Sequence, residues 1–126
     1  MSAVLFQTDR RIMTKQNKNL TAVAVTDCKM NTGIEVCFGK AKYFFVADTE
    51  SGTCEFAENP GLKYSESAGL RAAKFLINRG VKTVISSNFG AAVKEEFDKN
   101  NVRIVIMSDK FKYLSDIKWI NNLKRK

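Results

Sequence analysis

The chain contains no histidine among its 126 residues. Histidine is the side chain whose charge changes near neutral pH, and it is the base in Ser-His-Asp and Cys-His catalytic arrangements. Those arrangements, and every metal site built on imidazole, are therefore excluded.

Cysteine is scarce and shows no pairing pattern. The three cysteines are Cys28, Cys37 and Cys54, and no two of them form a Cys-x-x-Cys pair. An odd number without that spacing is not a disulfide framework, and it fits a reducing compartment better.

Long apolar runs are also missing. No run approaches the roughly 18 residues that a membrane-spanning helix requires. The run 3–6 is too short for the core of a signal peptide, and Arg10 and Arg11 follow it instead of preceding it. We therefore expect a cytoplasmic protein without a membrane partner.

The net charge of +8 is concentrated at the two ends of the chain. Residues 1–20 carry +3, residues 112–126 carry +4, and the remaining 91 residues carry +1. A solubilising pair of tails accounts for this distribution, and a phosphate-binding patch is the alternative. A nucleic-acid binder would use these basic ends, but the nearly neutral centre disfavours that interpretation.

The length fits one domain. Residues 1–19 lack sustained periodicity and are predicted to be a loosely ordered basic extension, so the single domain is predicted to span residues 20–126. Apolar and β-branched runs predict five strands, at residues 21–25, 42–48, 53–58, 81–86 and 102–107. The turn 49–52 predicts that the second and third strands form an antiparallel hairpin.

Helices are predicted in the second half of the chain. The first is capped by Ser65 or Ser67 and ends near Arg79, where Gly80 supplies the left-handed stop. A second helix follows the fourth strand. Strands that alternate with helices require parallel crossovers, so the pattern predicts an α/β fold with a mixed five-stranded sheet covered by helices.

Ser87 or Asn88 is predicted to cap the second helix. A third helix is predicted from the apolar stripe formed by Leu114, Ile117, Ile120 and Leu123.

A series of short motifs carries a family resemblance. Cys37-Phe38-Gly39-Lys40-Ala41 precedes the second strand, Glu58-Asn59-Pro60 follows the third, and Ala68-Gly69, Gly80-Val81 and Gly90 come later in the same order. Over residues 21–107 this series resembles the dinitrogenase iron-molybdenum cofactor biosynthesis family of nitrogenase accessory factor-like proteins, which commonly carry His-Phe-Gly-Arg-Ala at the first motif. The resemblance implies a three-layer ribonuclease-H-like motif with strand order 3-2-1-4-5 and strand two antiparallel.

Ligands of open α/β sheets bind beyond the carboxyl ends of the strands, where the strand order reverses. Three segments are predicted to meet there: the loop 27–41, the helix start 65–69 and the turn 86–90. Helix N-termini and glycine backbones favour anions, and an ammonium group adds positive charge. The predicted cofactor-binding residues are Cys37, Phe38, Gly39, Lys40, Ala68, Gly69, Ser87, Asn88 and Gly90.

The resemblance implies an anionic iron–sulfur or iron-molybdenum type cluster as ligand. Cys37 occupies the usual histidine position and is predicted as a metal contact, or as a small residue that suits a tight turn. Cys28 is a second predicted metal contact, with a purely structural role at the end of the first strand as the alternative. Lys40 replaces the family arginine and keeps its charge but not its bidentate fork. Cys54 is predicted to pack in the core.

Other residues suggest weaker hypotheses. Asp27 stands where ribonuclease-H-type nucleases place a metal-binding carboxylate, but such enzymes need several acids around two metals. Lys63-Tyr64 is predicted to lie at the rim of the site. Phe38 is expected to belong to the core, and Trp119 to cover the sheet or to mark a surface for a homodimer.

These observations predict a non-catalytic carrier for an anionic metal–sulfur cluster or an iron-molybdenum cofactor precursor. A protein that donates or accepts the cluster would be its partner. The alternative is a small phosphate- or nucleotide-binding regulatory module that uses the same crevice, although the chain has no Walker or Gly-x-Gly-x-x-Gly loop.

Overall fold

The computed structural model describes residues 19–64, 67–107 and 112–125, and the predicted basic extension lies almost entirely outside them. A six-stranded sheet organises the described part of the chain. Its strands are β1 (Leu20–Val25), β2 (Tyr43–Asp48), β3 (Thr53–Glu58), β4 (Val81–Ser86), β5 (Arg103–Ile106) and β6 (Lys124–Arg125). They lie in the order β5-β4-β1-β2-β3-β6, and all run parallel except β2.

The strand order 3-2-1-4-5 and the antiparallel β2 are confirmed. This order is compatible with the ribonuclease-H-like label, which stays a prediction. The two-residue β6, which pairs with Thr53 and Cys54, was not predicted. From the sequence, its lysine and arginine were interpreted as part of a solvated tail, because a strand of two charged residues has no apolar pattern to predict it.

The hairpin β2–β3 is confirmed, with Tyr43 opposite Glu58 and Asp48 opposite Thr53. Its turn uses Gly52 at a φ of 75°, a left-handed conformation that glycine adopts without steric cost. The carboxylate of Asp48 accepts hydrogen bonds from the backbone N–H groups of Glu50 (3.0 Å) and Ser51 (3.3 Å). This side chain therefore holds the turn shut.

Two α-helices, α1 (Ala68–Asn78) and α2 (Ala91–Lys99), lie on one face of the sheet. Gly80 has a φ of 86° after α1, as predicted. Ser67 stands at the N-cap of α1 but makes no side-chain cap bond, and Ser65 lies outside the described residues.

The predicted cap of α2 is wrong, because Gly90 and not Ser87 or Asn88 precedes the helix. Asn88 is held in an extended bridge with Cys37, and the next residue, Phe89, buries its ring in the core. Because residues 88 and 89 are held in these ways, α2 begins only at Ala91.

The predicted third helix is also wrong. Residues 114–116 and 118–122 form two 3-10 turns, with extended backbone at Ile117 between them. The apolar residues recur strictly every third position, and three residues per turn is the period of a 3-10 helix rather than an α-helix. Leu114, Ile117 and Ile120 are buried on this spacing.

The sheet separates two hydrophobic cores. The core under α1 and α2 is centred on Phe38, Phe44 and Phe97, and the opposite core is centred on Phe45 and Leu114. The molecule therefore has three layers, with α-helices on one side and the 3-10 turns and loop 26–35 on the other.

Gly61 tests how closely α1 is packed. A Cβ atom at this position would lie 2.5 Å from the backbone oxygen of Ala68 and 3.2 Å from the nitrogen of Ala72. Because backbone has to move, we expect Gly61→Ala to lower the free energy of unfolding by about 1–3 kcal/mol, measured by urea denaturation.

Gly90→Ala is the matched control, since its Cβ would meet nothing within 4 Å. Alanine is a poorer N-cap than glycine, but no atom has to move, so a loss of less than about 1 kcal/mol is expected there. Equal losses in the two variants would contradict the packing argument.

Candidate functional site

The carboxyl ends of β1, β4 and β5 lie at the same end of the sheet, and we call this end the carboxyl rim. Because β2 is antiparallel, it begins at this end, with Tyr43 beside Val25. The segment that leads into β2 is therefore brought to the same rim as the turns that follow β1 and β4.

The loop between β1 and β2 is tied to the rim by hydrogen bonds. Thr26 donates its backbone N–H to Gly33 (3.0 Å), and Glu35 donates its own to Ala24 (2.8 Å). The carbonyl of Glu35 accepts a bond from the fully buried hydroxyl of Ser86 (3.0 Å). The loop thus folds back beside β1 and then crosses to β4.

Phe38 anchors the second half of the loop. Its side chain is 1% exposed and touches three aromatic rings, with centroid distances of 5.3 Å to Phe44, 5.4 Å to Phe89 and 5.5 Å to Phe97. The expectation that Phe38 belongs to the core is confirmed. Its ring faces away from solvent, so at the rim it offers backbone only.

The predicted segments meet around this anchor. Phe38 donates its backbone N–H to the carbonyl of Asn88 (3.0 Å), which joins the loop to the turn after β4. Gly39 packs against α1 so closely that a Cβ atom there would lie 3.0 Å from the Cα of Gly69. Sequence motifs some thirty to fifty residues apart therefore share one small area.

The N-termini of α1 and α2 converge at the same place. A Cβ on Gly69, in the first turn of α1, would lie 2.9 Å from Cγ2 of Val93, in the first turn of α2. Neither first turn contains an acidic residue, the Ser67 side chain makes no cap bond to α1, and Gly90 has no side chain to cap α2. Helix ends of this kind carry partial positive charge and unpaired N–H groups.

Lys40 adds a full positive charge. It ends a 3-10 turn, Phe38–Lys40, and its side chain is exposed. Ser87 is half-buried and Gly90 is exposed, with open space where a Cβ would stand. The area formed by residues 37–40, 68–69 and 87–90, which we call the amide cluster, therefore combines accessible backbone with positive potential.

The cysteines occupy different surroundings. Cys37 is half-buried within the amide cluster, and its backbone N–H donates to the carboxylate of Glu35 (3.3 Å). Cys28 is exposed and lies beside Tyr43 and Asp27. Cys54 is 1% exposed in the core on the far side of the sheet, as predicted.

Asp27 is engaged locally. Its carboxylate accepts the backbone N–H of Cys28 (2.8 Å) and lies 3.6 Å from the Lys29 ammonium, and this hydrogen bond lowers its pKa. Within the residues that the structure describes, no three cysteine, aspartate or glutamate side chains are close enough to hold a metal ion. Asp109, the acid that follows β5 in the sequence, lies outside those residues.

Asn59 is a positioning residue that sequence reasoning missed. It is 6% exposed, its amide donates to the carbonyl of Ala41 (2.8 Å), and its side-chain oxygen accepts the N–H of Gly61 (2.8 Å). It therefore locks the end of the loop to the turn before α1. The Asn-Pro-Gly sequence was the available signal, because asparagine there caps its own turn.

Lys63 and Tyr64, the predicted rim residues, end the 3-10 turn that follows Asn59. The Tyr64 ring lies 3.8 Å below the guanidinium of Arg71, and the Lys63 ammonium lies 5.7 Å from the same ring. Arg71 was not identified from the sequence, since nothing in its spacing indicates a partner outside α1.

Comparisons with known proteins agree with the architecture. Residues 19–113 match the family model described as dinitrogenase iron-molybdenum cofactor. No curated protein matches the chain. In the described residues no helix is both long and apolar enough to cross a membrane.

Two solved structures share the fold. The apo form of the orange protein from Desulfovibrio gigas has a TM-score of 0.72 at 18% identity, with 79% of this chain and 84% of that chain covered. A putative NifB protein from Thermotoga has a TM-score of 0.67 at 23% identity, with 78% and 82% covered.

Phe38 provides the test of the anchor. We expect Phe38→Ala to lower the free energy of unfolding by about 3–5 kcal/mol, because it empties a ring-sized volume in the core. Urea denaturation measures the loss. The control Val36→Ala, at a position 59% exposed, should change stability by no more than about 0.5 kcal/mol.

The Cys28–Tyr43 contact predicts a titration effect. Hydrogen bonding to Cys28, with the charge of its thiolate, raises the pKa of Tyr43. Cys28→Ala removes both causes, so the Tyr43 phenol should ionise at lower pH than in the parent protein. Ultraviolet absorbance of tyrosinate measures this, and Tyr43→Phe in each background identifies the Tyr43 signal; an unchanged Tyr43 titration would contradict the contact.

Proposed function

Because the chain belongs to the dinitrogenase iron-molybdenum cofactor family, we propose that its amide cluster binds an anionic metal–sulfur cluster or a precursor of the iron-molybdenum cofactor as cargo. The observation that carries this proposal is the contact of Gly39 with Gly69, which brings Lys40 to the converging starts of α1 and α2.

Electrostatics favour an anionic cargo at this position. Backbone N–H groups at helix starts bind anions through hydrogen bonds and through the helix dipole. The ammonium of Lys40 contributes a full charge whose side chain can adjust to the shape of the ligand. Cargo with net negative charge would therefore be attracted without a dedicated phosphate loop.

Cys37 is the proposed direct ligand. Thiolates are good ligands for iron in clusters. Cys37 lies inside the amide cluster and is half-buried, so a bond from its Sγ would hold cargo against the backbone groups. Cys28 would contact cargo only if the ligand extended across the rim toward Tyr43.

We propose a carrier rather than a catalyst. The groups brought together are amides, an ammonium and a thiol, which bind charge and iron, and the chain has no histidine to move protons near neutral pH. A carrier of this kind needs a donor and an acceptor protein, both of which would approach the carboxyl rim.

Anaerobic reconstitution with iron and sulfide, with and without molybdate, tests the proposal. We expect metal retained on the protein after desalting and visible sulfur-to-metal absorption. Lys40→Glu should weaken retention at least about tenfold, since it replaces attraction by repulsion. Cys37→Ala should also change the absorption spectrum.

Lys82→Glu is the matched control, because Lys82 is exposed near the amino end of β4, away from the rim. It makes the same charge change and should retain metal like the parent protein. No retained metal under any loading ratio would contradict the proposal. Thermal stabilisation by nucleotides or phosphorylated metabolites, without metal retention, would favour the phosphate-binding alternative.

A further inference from the structure

A groove of about 530 Å³ opens at the carboxyl rim. Tyr43 and Glu58, which lie opposite each other where β2 begins and β3 ends, contribute to its lining. Pro60, Leu62 and Lys63 line it from the 3-10 turn that precedes α1. Because Leu62 is 44% exposed, the groove offers an apolar contact at the surface.

Two cations share one aromatic ring next to this groove. The Arg71 guanidinium lies 3.8 Å from the centre of the Tyr64 ring, and the Lys63 ammonium lies 5.7 Å from it. The two charges are therefore within about 10 Å of each other, which is about one Debye length at 0.1 M salt, so salt screens their repulsion only in part. In the described part of the chain neither cation has an acid partner. A negative group bound beside both would offset this repulsion.

The basic excess around the groove is local. Helix α1 contains Arg71 and Lys74, three residues apart and both exposed, and it contains no acidic residue. Lys42 adds another ammonium group to the groove, where Glu58 is the acid among the lining residues. Helix α2, by contrast, has three acids and two lysines in its nine residues. The α1 side of the rim is therefore positive, although the central part of the chain is nearly neutral.

The groove is formed by a turn that is already rigid. The side chain of Asn59 accepts the N–H of Gly61 (2.8 Å), and Tyr64 donates its N–H to the carbonyl of Gly61 (3.1 Å). Leu62 and Lys63 lie between these bonds, so their backbone is fixed before a partner arrives. A preorganised surface loses less entropy on binding.

We propose that the groove and the adjoining cation pair, which we call the docking face, bind an acidic segment of another protein that carries an apolar side chain. The apolar side chain packs against Leu62, and the carboxylates meet Lys63 and Arg71. Tyrosine and arginine are among the residues that dominate binding energy at protein interfaces, and here they are stacked on each other. The proposal is independent of what the amide cluster binds.

The surroundings of Tyr64 favour a protein over a nucleic acid as the partner. Single-stranded nucleic acids stack their bases on open aromatic rings. The ring of Tyr64 is already engaged by Arg71 and lies close to Lys63. Leu62 contributes nothing to the binding of phosphates, whereas an apolar side chain of a protein can pack against it.

Fluorescence anisotropy of the full chain with a labelled peptide tests the docking face. The probe is a short peptide of glutamates around one central leucine. Lys63→Glu/Arg71→Glu should raise its dissociation constant at least about tenfold, because attraction is replaced by repulsion. The matched control Lys82→Glu/Lys118→Glu makes the same charge change at two exposed positions away from the groove, and it should change the dissociation constant less than about twofold.

Two further comparisons separate specific docking from general attraction and from loss of folding. The leucine peptide should bind the parent protein at least about threefold more tightly than the same peptide with serine in place of leucine, and Leu62→Ser should remove this difference. A peptide of lysines around one leucine should bind Lys63→Glu/Arg71→Glu more tightly than it binds the parent protein. An unfolded variant could not show this gain.

Several results would overturn the proposal. One is a parent protein that binds neither glutamate peptide, or binds the leucine and serine peptides equally. Another is a loss of binding in Lys82→Glu/Lys118→Glu as large as in the docking-face variant. A single-stranded oligothymidylate of the same charge that binds the docking face more tightly than the leucine peptide would assign this surface to nucleic acid instead.

Discussion

Burial of the Phe38 ring is the interaction on which the arrangement of the rim depends. The ring has to stay among Phe44, Phe89 and Phe97, because exposing it would cost about 1.5–3 kcal/mol. With the ring fixed, its backbone N–H reaches Asn88, and the next residue lies against α1. A hydrophobic contact in the core therefore sets the position of polar groups at the surface.

Glycine residues, which have no side chain, let these elements approach one another closely. Gly39 lies against Gly69, Gly69 against Val93, and Gly61 against the carbonyl of Ala68. These three contacts join the loop, the turn before α1 and both helix starts. The glycines are needed here for space rather than for unusual backbone angles, since none of the three has a positive φ.

The sequence predicted the sheet well because five apolar runs separated by clear breaks leave few alternatives, and Gly52 and Gly80 mark their turns. It failed at Asn88, where a tertiary contact decides, because this residue bonds across to the loop instead of capping α2. It also failed at the stripe beginning at Leu114, whose three-residue spacing is that of a 3-10 helix and not of an α-helix. The topology rule for open sheets predicted where the candidate site should lie. How closely its segments pack could not be predicted, because nothing in the local sequence indicates the Gly39–Gly69 and Tyr64–Arg71 contacts.

The hydroxyl of Ser86, bonded to Glu35 inside the protein, has a kinetic consequence. Together with the bonds from Thr26 and Glu35, it immobilises the loop before anything binds. Fixing a residue's backbone costs about 1–2 kcal/mol of entropy, and that cost is met during folding. A ligand bound at the rim as proposed would meet a preorganised surface and would need no unfolding to leave, so both steps would be fast.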